Sequence, residues 1–299
     1  MHFHIEHTTE YAYSAPATEA FTELRLRPRD SARQTVSRYT VRLDPPVRVE
    51  SHVDYFGNHV ESISIPFRHE RLVVTSECAV STRPMRDVLQ GLDLTLGEAR
   101  QMYQSKRREL YDFLQPSPYI PFTTELRRLA EEWLPPAAPF AKAVRGLNHR
   151  IFTGFKYTPG ATDVSTPVPE FLERRQGVCQ DFAHLMISLL RNAGVPARYV
   201  SGYIETEPVA PAGGESTASL IGATASHAWV ELFTPNGFWV GLDPTNDIAE
   251  GERHVQIGLG RDYADVPPLR GVFKGANAQT LSVQVRVSRD ALEVASTGG

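Results

Sequence analysis

Hydrophobic and polar positions follow different rules along this chain. Up to about residue 83 they alternate. SRYTVRLDPPV sets Tyr39, Val41 and Leu43 on one side and charged or hydroxyl residues on the other. RLVVTSECAV repeats the pattern with Leu72, Val74, Ser76, Cys78 and Val80, and VDYFGNHVESISIPF is two extended runs about a Gly57-Asn58 turn. Period-two runs broken by turn residues predict an antiparallel sheet or sandwich. Cys78, on the apolar side of its strand, reads as a packed core thiol.

From Pro84 the period lengthens. TLGEARQMYQSKRRELYDFL, TTELRRLAEEWLPP and FAKAVRGLNHRIFTGF predict helices, and Pro116, Pro118 and Pro121 break the chain after the first of them. STPVPEFLERRQG predicts a short helix capped by Ser165 or Thr166. RRQGVCQDFAHLMISLLRNAG then sets Phe182, Leu185, Met186, Leu189 and Leu190 in one stripe, stopped by Gly194 and Pro196. PARYVSGYIE is a strand, residues 205–226 a long small-residue loop expected to be a mobile gate, and HAWVELF and FWVGLDP two further strands. GLGRD near residue 258 reads as a turn, and LRGVFKG and TLSVQVRVS as a C-terminal tail ending in a strand. The expected division is 1–83 β-rich, 84–140 a helical connector, 141–250 the core and 251–299 the tail.

Composition narrows the function classes. The chain has 299 residues, 41% hydrophobic and 22% charged, with net charge -4. That fits a folded globular protein and gives no reason to expect nucleic acid or a membrane surface as partner. No apolar run is long enough to span a bilayer, and MHFHIEHTTEYAYSAP lacks the build of a signal peptide. Two distant cysteines suit a reducing cytoplasm.

Cys179 sits in the first turn of the apolar helix, where orphan N–H groups and the helix dipole favour a thiolate. Gly177 just before it would allow close approach of another segment. From this stretch alone a core thiol and a nucleophile stand level. A metal ligand fits less well. His184 lies five positions on, roughly 140° around the helix, and no CxxC or HExxH pattern occurs. His184 therefore reads as structural, and a base for Cys179 must come from elsewhere.

The hairpin ASHAWVELFTPNGFWVGLDPTND can supply it. A three-residue Pro-Asn-Gly loop places Thr234 opposite Phe238, Val230 opposite Leu242 and Trp229 opposite Asp243. One face then holds Ala228, Val230, Leu232, Val240 and Leu242, and the other His227, Trp229, Glu231, Trp239, Gly241 and Asp243. In this register His227 and Asp243 are diagonal neighbours, about 7–8 Å apart at Cα, within hydrogen-bonding reach of each other's side chains. Trp229 would shield the pair. A histidine oriented by a carboxylate is what a thiol nucleophile requires.

GVCQDFAHLMISLLRNAGVPARYVSGYI, SHAWVEL and GFWVGLDPTN, in that order, resemble the core of the transglutaminase-like superfamily over about residues 145–250. The strand-rich first part resembles the N-terminal domain often fused to it in bacteria, and DYADVPPLRGVFKG resembles the tail of those proteins. The resemblance implies an α+β, papain-like core behind an antiparallel β-rich domain. It implies Cys179 as nucleophile, His227 as base and acid, and Asp243 as orienting group, with the Cys179 N–H as one oxyanion donor and Tyr157 as candidate for the second. Trp229 and Trp239 are candidate substrate contacts. The family transfers acyl groups from amides, and its bacterial members are often described as cysteine proteases, so a peptide or protein substrate and a peptidase or amidase are expected. The alternatives are a cross-linking transglutaminase and a non-catalytic peptide-binding scaffold. No metal or other cofactor is expected; without an EF-hand-like loop, calcium is not carried over.

Overall fold

The computed structural model describes residues 1–205, 220–222, 226–275 and 278–289. Alternation produces six strands first: β1 (His2–Ala17), β2 (Glu19–Leu24), β3 (Gln34–Asp44), β4 (Val49–Val53), β5 (His59–Ile65) and β6 (His69–Thr82). Then come α1 (Leu96–Tyr103), α2 (Thr124–Trp133), α3 (Phe140–Gly154), β7 (Lys156–Tyr157), α4 (Val168–Arg174), β8 (Gln176–Gly177) and α5 (Cys179–Asn192). Seven strands follow among the described residues: β9 (Ala197–Ile204), β10 (His227–Phe233), β11 (Trp239–Asp243), β12 (Ile248–Ala249), β13 (His254–Gly260), β14 (Leu269–Lys274) and β15 (Gln279–Arg289). The chain is thus α+β.

Two antiparallel sheets, β15-β1-β6-β3 and β14-β2-β5-β4, form the N-terminal part. One face of β6 serves two partners. Leu72 and Val74 pack with Leu24, Ile63 and Ile65 of the second sheet. Cys78 and Val80, further along, pack with Tyr203, Val255 and Ile257 of the sheet β12-β11-β10-β9-β13. Cys78 is the buried core thiol its position predicts, and burial pushes it up to about 12.

The residues expected as a C-terminal tail are no tail. β13 is an edge of the five-stranded sheet, while β14 and β15 complete the two N-terminal sheets beside β2 and β1. GLGRD is likewise not a turn: Gly258 and Gly260 lie in β13, next to a bulge. The 84–140 segment is also more than a connector, because Leu96, Ala99, Leu126 and Ala130 join the cluster that surrounds α5. The first helix ends early, giving way after Tyr103 to 3₁₀ turns at Gln104–Lys106 and Tyr111–Phe113. Its buried positions, Leu96, Ala99 and Tyr103, are followed at helical spacing by Lys106 and Arg107, so a longer helix would turn charge inward.

Helix α5 is buried on every side from Gln180 to Arg191, not along one stripe. It is wrapped by the other helices and by Ala228, Val230, Leu232 and Leu242 of the sheet. Gly194, at φ +75°, ends it as predicted. The hydroxyl cap expected on α4 is absent. Its N-cap is Pro167, and Ser165 and Thr166 instead bond Asp163 in the preceding turn.

Candidate active site

Cys179 is the first residue of α5 and is only partly buried. The turn before it is built by Asp181, whose Oδ2 accepts from the Val178 N–H at 2.8 Å and the Thr162 hydroxyl at 2.6 Å. Gly177 makes room for that carboxylate: a Cβ there would sit 2.4 Å from Asp181 Oδ2 and 2.9 Å from the Phe171 ring. Its closest approach is therefore to side chains of its own neighbourhood. It also pairs with Tyr157 in the short β7–β8 ladder.

The hairpin has the predicted register, with Val230 opposite Leu242 and Leu232 opposite Val240. Thr234 N–H donates to the Phe238 carbonyl, and Gly237 takes φ +93° in the turn. His227 Nε2 and Asp243 Oδ2 stand 2.8 Å apart, both side chains fully buried. The opposite imidazole nitrogen, Nδ1, makes no well-formed hydrogen bond of its own, and Cys179 interacts with the ring. Burial opposes a charge on His227, but Asp243 and the Cys179 sulfur outweigh it and raise the imidazole to about 10. Burial likewise opposes the Asp243 charge. His227 and His254 overcome it and hold the carboxyl below its usual range.

Asp243 is saturated with donors. Oδ1 accepts from Thr245 N–H at 2.9 Å and Asn246 N–H at 3.3 Å. Oδ2 accepts from Asn246 Nδ2 at 2.7 Å and lies 3.4 Å from His254 Nε2, besides its bond with His227. Asn246 also holds the Ile221 backbone, accepting from its N–H at 2.8 Å and donating to its carbonyl at 3.3 Å. That sets Gly222 over the imidazole: a Cβ on Gly222 would lie 2.9 Å from His227 Nδ1 and 3.6 Å from the Tyr157 hydroxyl. Most of the loop expected as a gate, residues 206–219 and 223–225, lies outside the described residues.

Tyr157 is near the thiol. Burial, then the Cys179 charge, pushes its phenol up to about 12, so it stays a hydroxyl donor at neutral pH. Of the two tryptophans expected as substrate contacts, Trp229 has no exposed surface to offer one. Trp229 is wholly buried, nested where Gly202 lacks a side chain and packed with Val200 and Leu259. Its ring lies 6.1 Å from that of His227 and packs against it. Trp239 sits at the turn end of β11, four residues from Asp243 or about 13 Å of strand. There it packs on Phe113 and Phe233, with the Arg198 guanidinium 3.9 Å above its ring. His184 is structural: Nε2 accepts from the Tyr263 N–H at 3.2 Å, the ring stacks on Tyr119, and burial lowers it to about 3.

Sequence reasoning missed His254, Asn246 and Gly222. Only Asn246 left a signal, since Asp-Pro-Thr-Asn is a turn in which an Asp side chain caps the backbone that follows. Among the described residues no group of three or more His, Cys, Asp or Glu side chains is placed to hold a metal. Among them, too, no helix is long and apolar enough to cross a membrane.

The chain matches the model of the bacterial transglutaminase-like N-terminal region over residues 3–81 and that of the transglutaminase-like superfamily over residues 127–244. It is 36% identical over 292 residues to an uncharacterized protein of Mycobacterium leprae, covering 95% of this chain and 98% of that one. It is also 36% identical over 143 residues to a protein-glutamine gamma-glutamyltransferase of Pseudomonas aeruginosa, covering 45% of this chain and 20% of that one. The crystal structure of a candidate cysteine protease from Cytophaga hutchinsonii shares the fold with TM-score 0.75 and 21% identity, covering 96% of this chain and 90% of that one.

Proposed function

The chain belongs to the transglutaminase-like superfamily, and on that premise we propose that it is a cysteine-dependent acyl-transfer enzyme that opens amide or peptide bonds of a protein or peptide. The observation that carries the reading is the buried His227–Asp243 pair, 2.8 Å apart, beside a thiol that begins a helix.

In this reading Asp243 receives the Nε2–H of His227 and fixes Nδ1 toward sulfur. His227 takes the thiol proton, and the thiolate attacks the carbonyl carbon. The oxyanion is met by the Cys179 N–H, ahead of the helix ladder, and by the Tyr157 hydroxyl. The imidazolium then gives its proton to the leaving nitrogen and a thioester remains on Cys179. Water releases an acid, which makes the protein a peptidase or amidase. An amine would release a cross-linked product, an outcome favoured by the similarity to the Pseudomonas gamma-glutamyltransferase. The two unpaired cysteines fit a reducing cytoplasm.

The test is the rate of Cys179 alkylation by iodoacetamide, mapped by mass, in the native protein and in His227→Ala. The native thiol should react well below the ordinary thiol pKa of about 8.5 and slow in the variant. Equal rates, unchanged by the substitution, would remove the catalytic reading. A screen of peptides with and without added amine then separates hydrolysis from transfer.

A further inference from the structure

His254 opens β13 and is buried, with its Nε2 3.4 Å from Asp243 Oδ2. Its tautomer follows from its other nitrogen. The Gly251 backbone N–H, which can only donate, points at Nδ1 from 3.2 Å. Nδ1 therefore carries a lone pair, and the ring proton is on Nε2, facing the carboxylate. The ring stands edge-on to Trp229 at 5.1 Å, so the indole packs against both His227 and His254.

The segment that carries His254 is gripped from the N-terminal part of the chain. Arg33 bonds the Glu250 carboxylate. The Thr82 hydroxyl donates to the Glu252 carbonyl at 2.7 Å. Gln34 binds the Gln256 backbone twice, accepting from its N–H at 2.8 Å and donating to its carbonyl at 2.7 Å. These contacts fall on residues 250, 252 and 256 and bracket His254. β13 is an edge of the sheet and is separated from β11 by β10 and β9, so the β10–β11 pairing does not by itself fix the distance from His254 to Asp243.

We propose that His254 is a positioning residue for the Cys179 site, a neutral second imidazole that holds Asp243 in line with His227, and that the N-terminal sheets set its place. Oδ2 receives three side chains, from His227, Asn246 and His254. With His254 in place the carboxylate cannot swing away from His227 without stranding an N–H in a buried site. His254 touches neither sulfur nor substrate. The proposal rests on the catalytic reading above.

Two variants of similar polarity separate this role from packing. His254→Gln keeps a donor where Nε2 was and gives up the acceptor for Gly251. His254→Asn keeps that acceptor and cannot reach Asp243. Cys179 alkylation in the full chain should be close to native in the Gln variant and about tenfold or more slower in the Asn variant, the effect of one hydrogen bond to a charged group. The two should melt at similar temperatures. Equal alkylation rates, or rates that simply track melting temperature, would overturn the proposal. If native Cys179 were no more reactive than an ordinary thiol, the catalytic reading itself would fail, which is a different result. A nitrogen-15 histidine correlation spectrum of the unmodified protein tests the geometry without substitution. His254 should be neutral with its proton on Nε2 at pH 7, and a proton on Nδ1 would overturn the proposal even if both variants failed to fold.

Discussion

At the scale of single residues the site turns on which atoms carry protons. Asp243 Oδ1 and Oδ2 both face donors only. An amide at this position must set its own N–H₂ against one of those groups, whichever way it flips. Asp243→Asn should therefore slow amide turnover by about 10² or more, the scale seen when an orienting carboxylate is lost. The pH dependence has a definite sign. His227 rises to about 10 because Asp243 and the Cys179 sulfur outweigh burial. Turnover should fall on the alkaline side as that proton is lost, and removing the carboxylate should move this limb to lower pH. The pair's contribution to stability follows the same rule: complete below the ordinary histidine value of 6.5, and lost as pH rises through about 10. A pH–rate profile of both proteins checks the limb, and an unmoved limb would mean that Asp243 does not set the charge of His227. His227 and Asp243 were legible in the sequence because strand register is a local count from the turn. His254 was not, because a residue eleven positions past Asp243 reaches it only through the path of an irregular segment.

At the scale of elements, legibility depended on whether the local pattern matched the burial. β6 was readable because its apolar side stays buried along the strand, although it packs on one sheet at Leu72 and Val74 and on another at Cys78 and Val80. α1 was overdrawn because charge spacing alone extends a helix that its buried face cannot follow. α5 looked amphipathic but is enclosed on all sides, with Arg191 reaching the carbonyls of Gln115, Ala197 and Arg261. Its start is the sensitive point. Gly177 has no room for a side chain, since a Cβ would press on Asp181 Oδ2 and on the Phe171 ring. Gly177→Ala should cost about 1–3 kcal/mol, the usual range for forced overpacking. It should slow Cys179 alkylation as well, because the displaced carboxylate is the one that closes the first turn. Urea denaturation and alkylation together check this. Loss of stability with a native alkylation rate would mean that the turn is not what presents the thiol.

At the scale of the whole molecule the two ends of the described chain lie side by side. β15 pairs with β1 from Phe3–Arg289 to Tyr13–Gln279, and β14 pairs with β2. No local pattern announces a partner more than two hundred residues away, so these strands read as a tail from sequence. Their loss would not be neutral. Without residues 268–299, β1 and β2 both become edges, and the apolar cluster of Phe3, Ile5, Cys78 and Val80 loses Val287. A long alternating edge strand with unpaired N–H and C=O groups recruits other chains. A chain ending at residue 267 should therefore aggregate or melt well below the full chain, read by light scattering and thermal unfolding. The effect should reach the site, because two of the residues that grip 250–256, Gln34 of β3 and Thr82 of β6, belong to the sheet that loses β15. If the shortened chain instead stayed dispersed with native Cys179 reactivity, the N-terminal sheets would be independent of the proposed chemistry, and the brace on His254 would have to come from the five-stranded sheet alone.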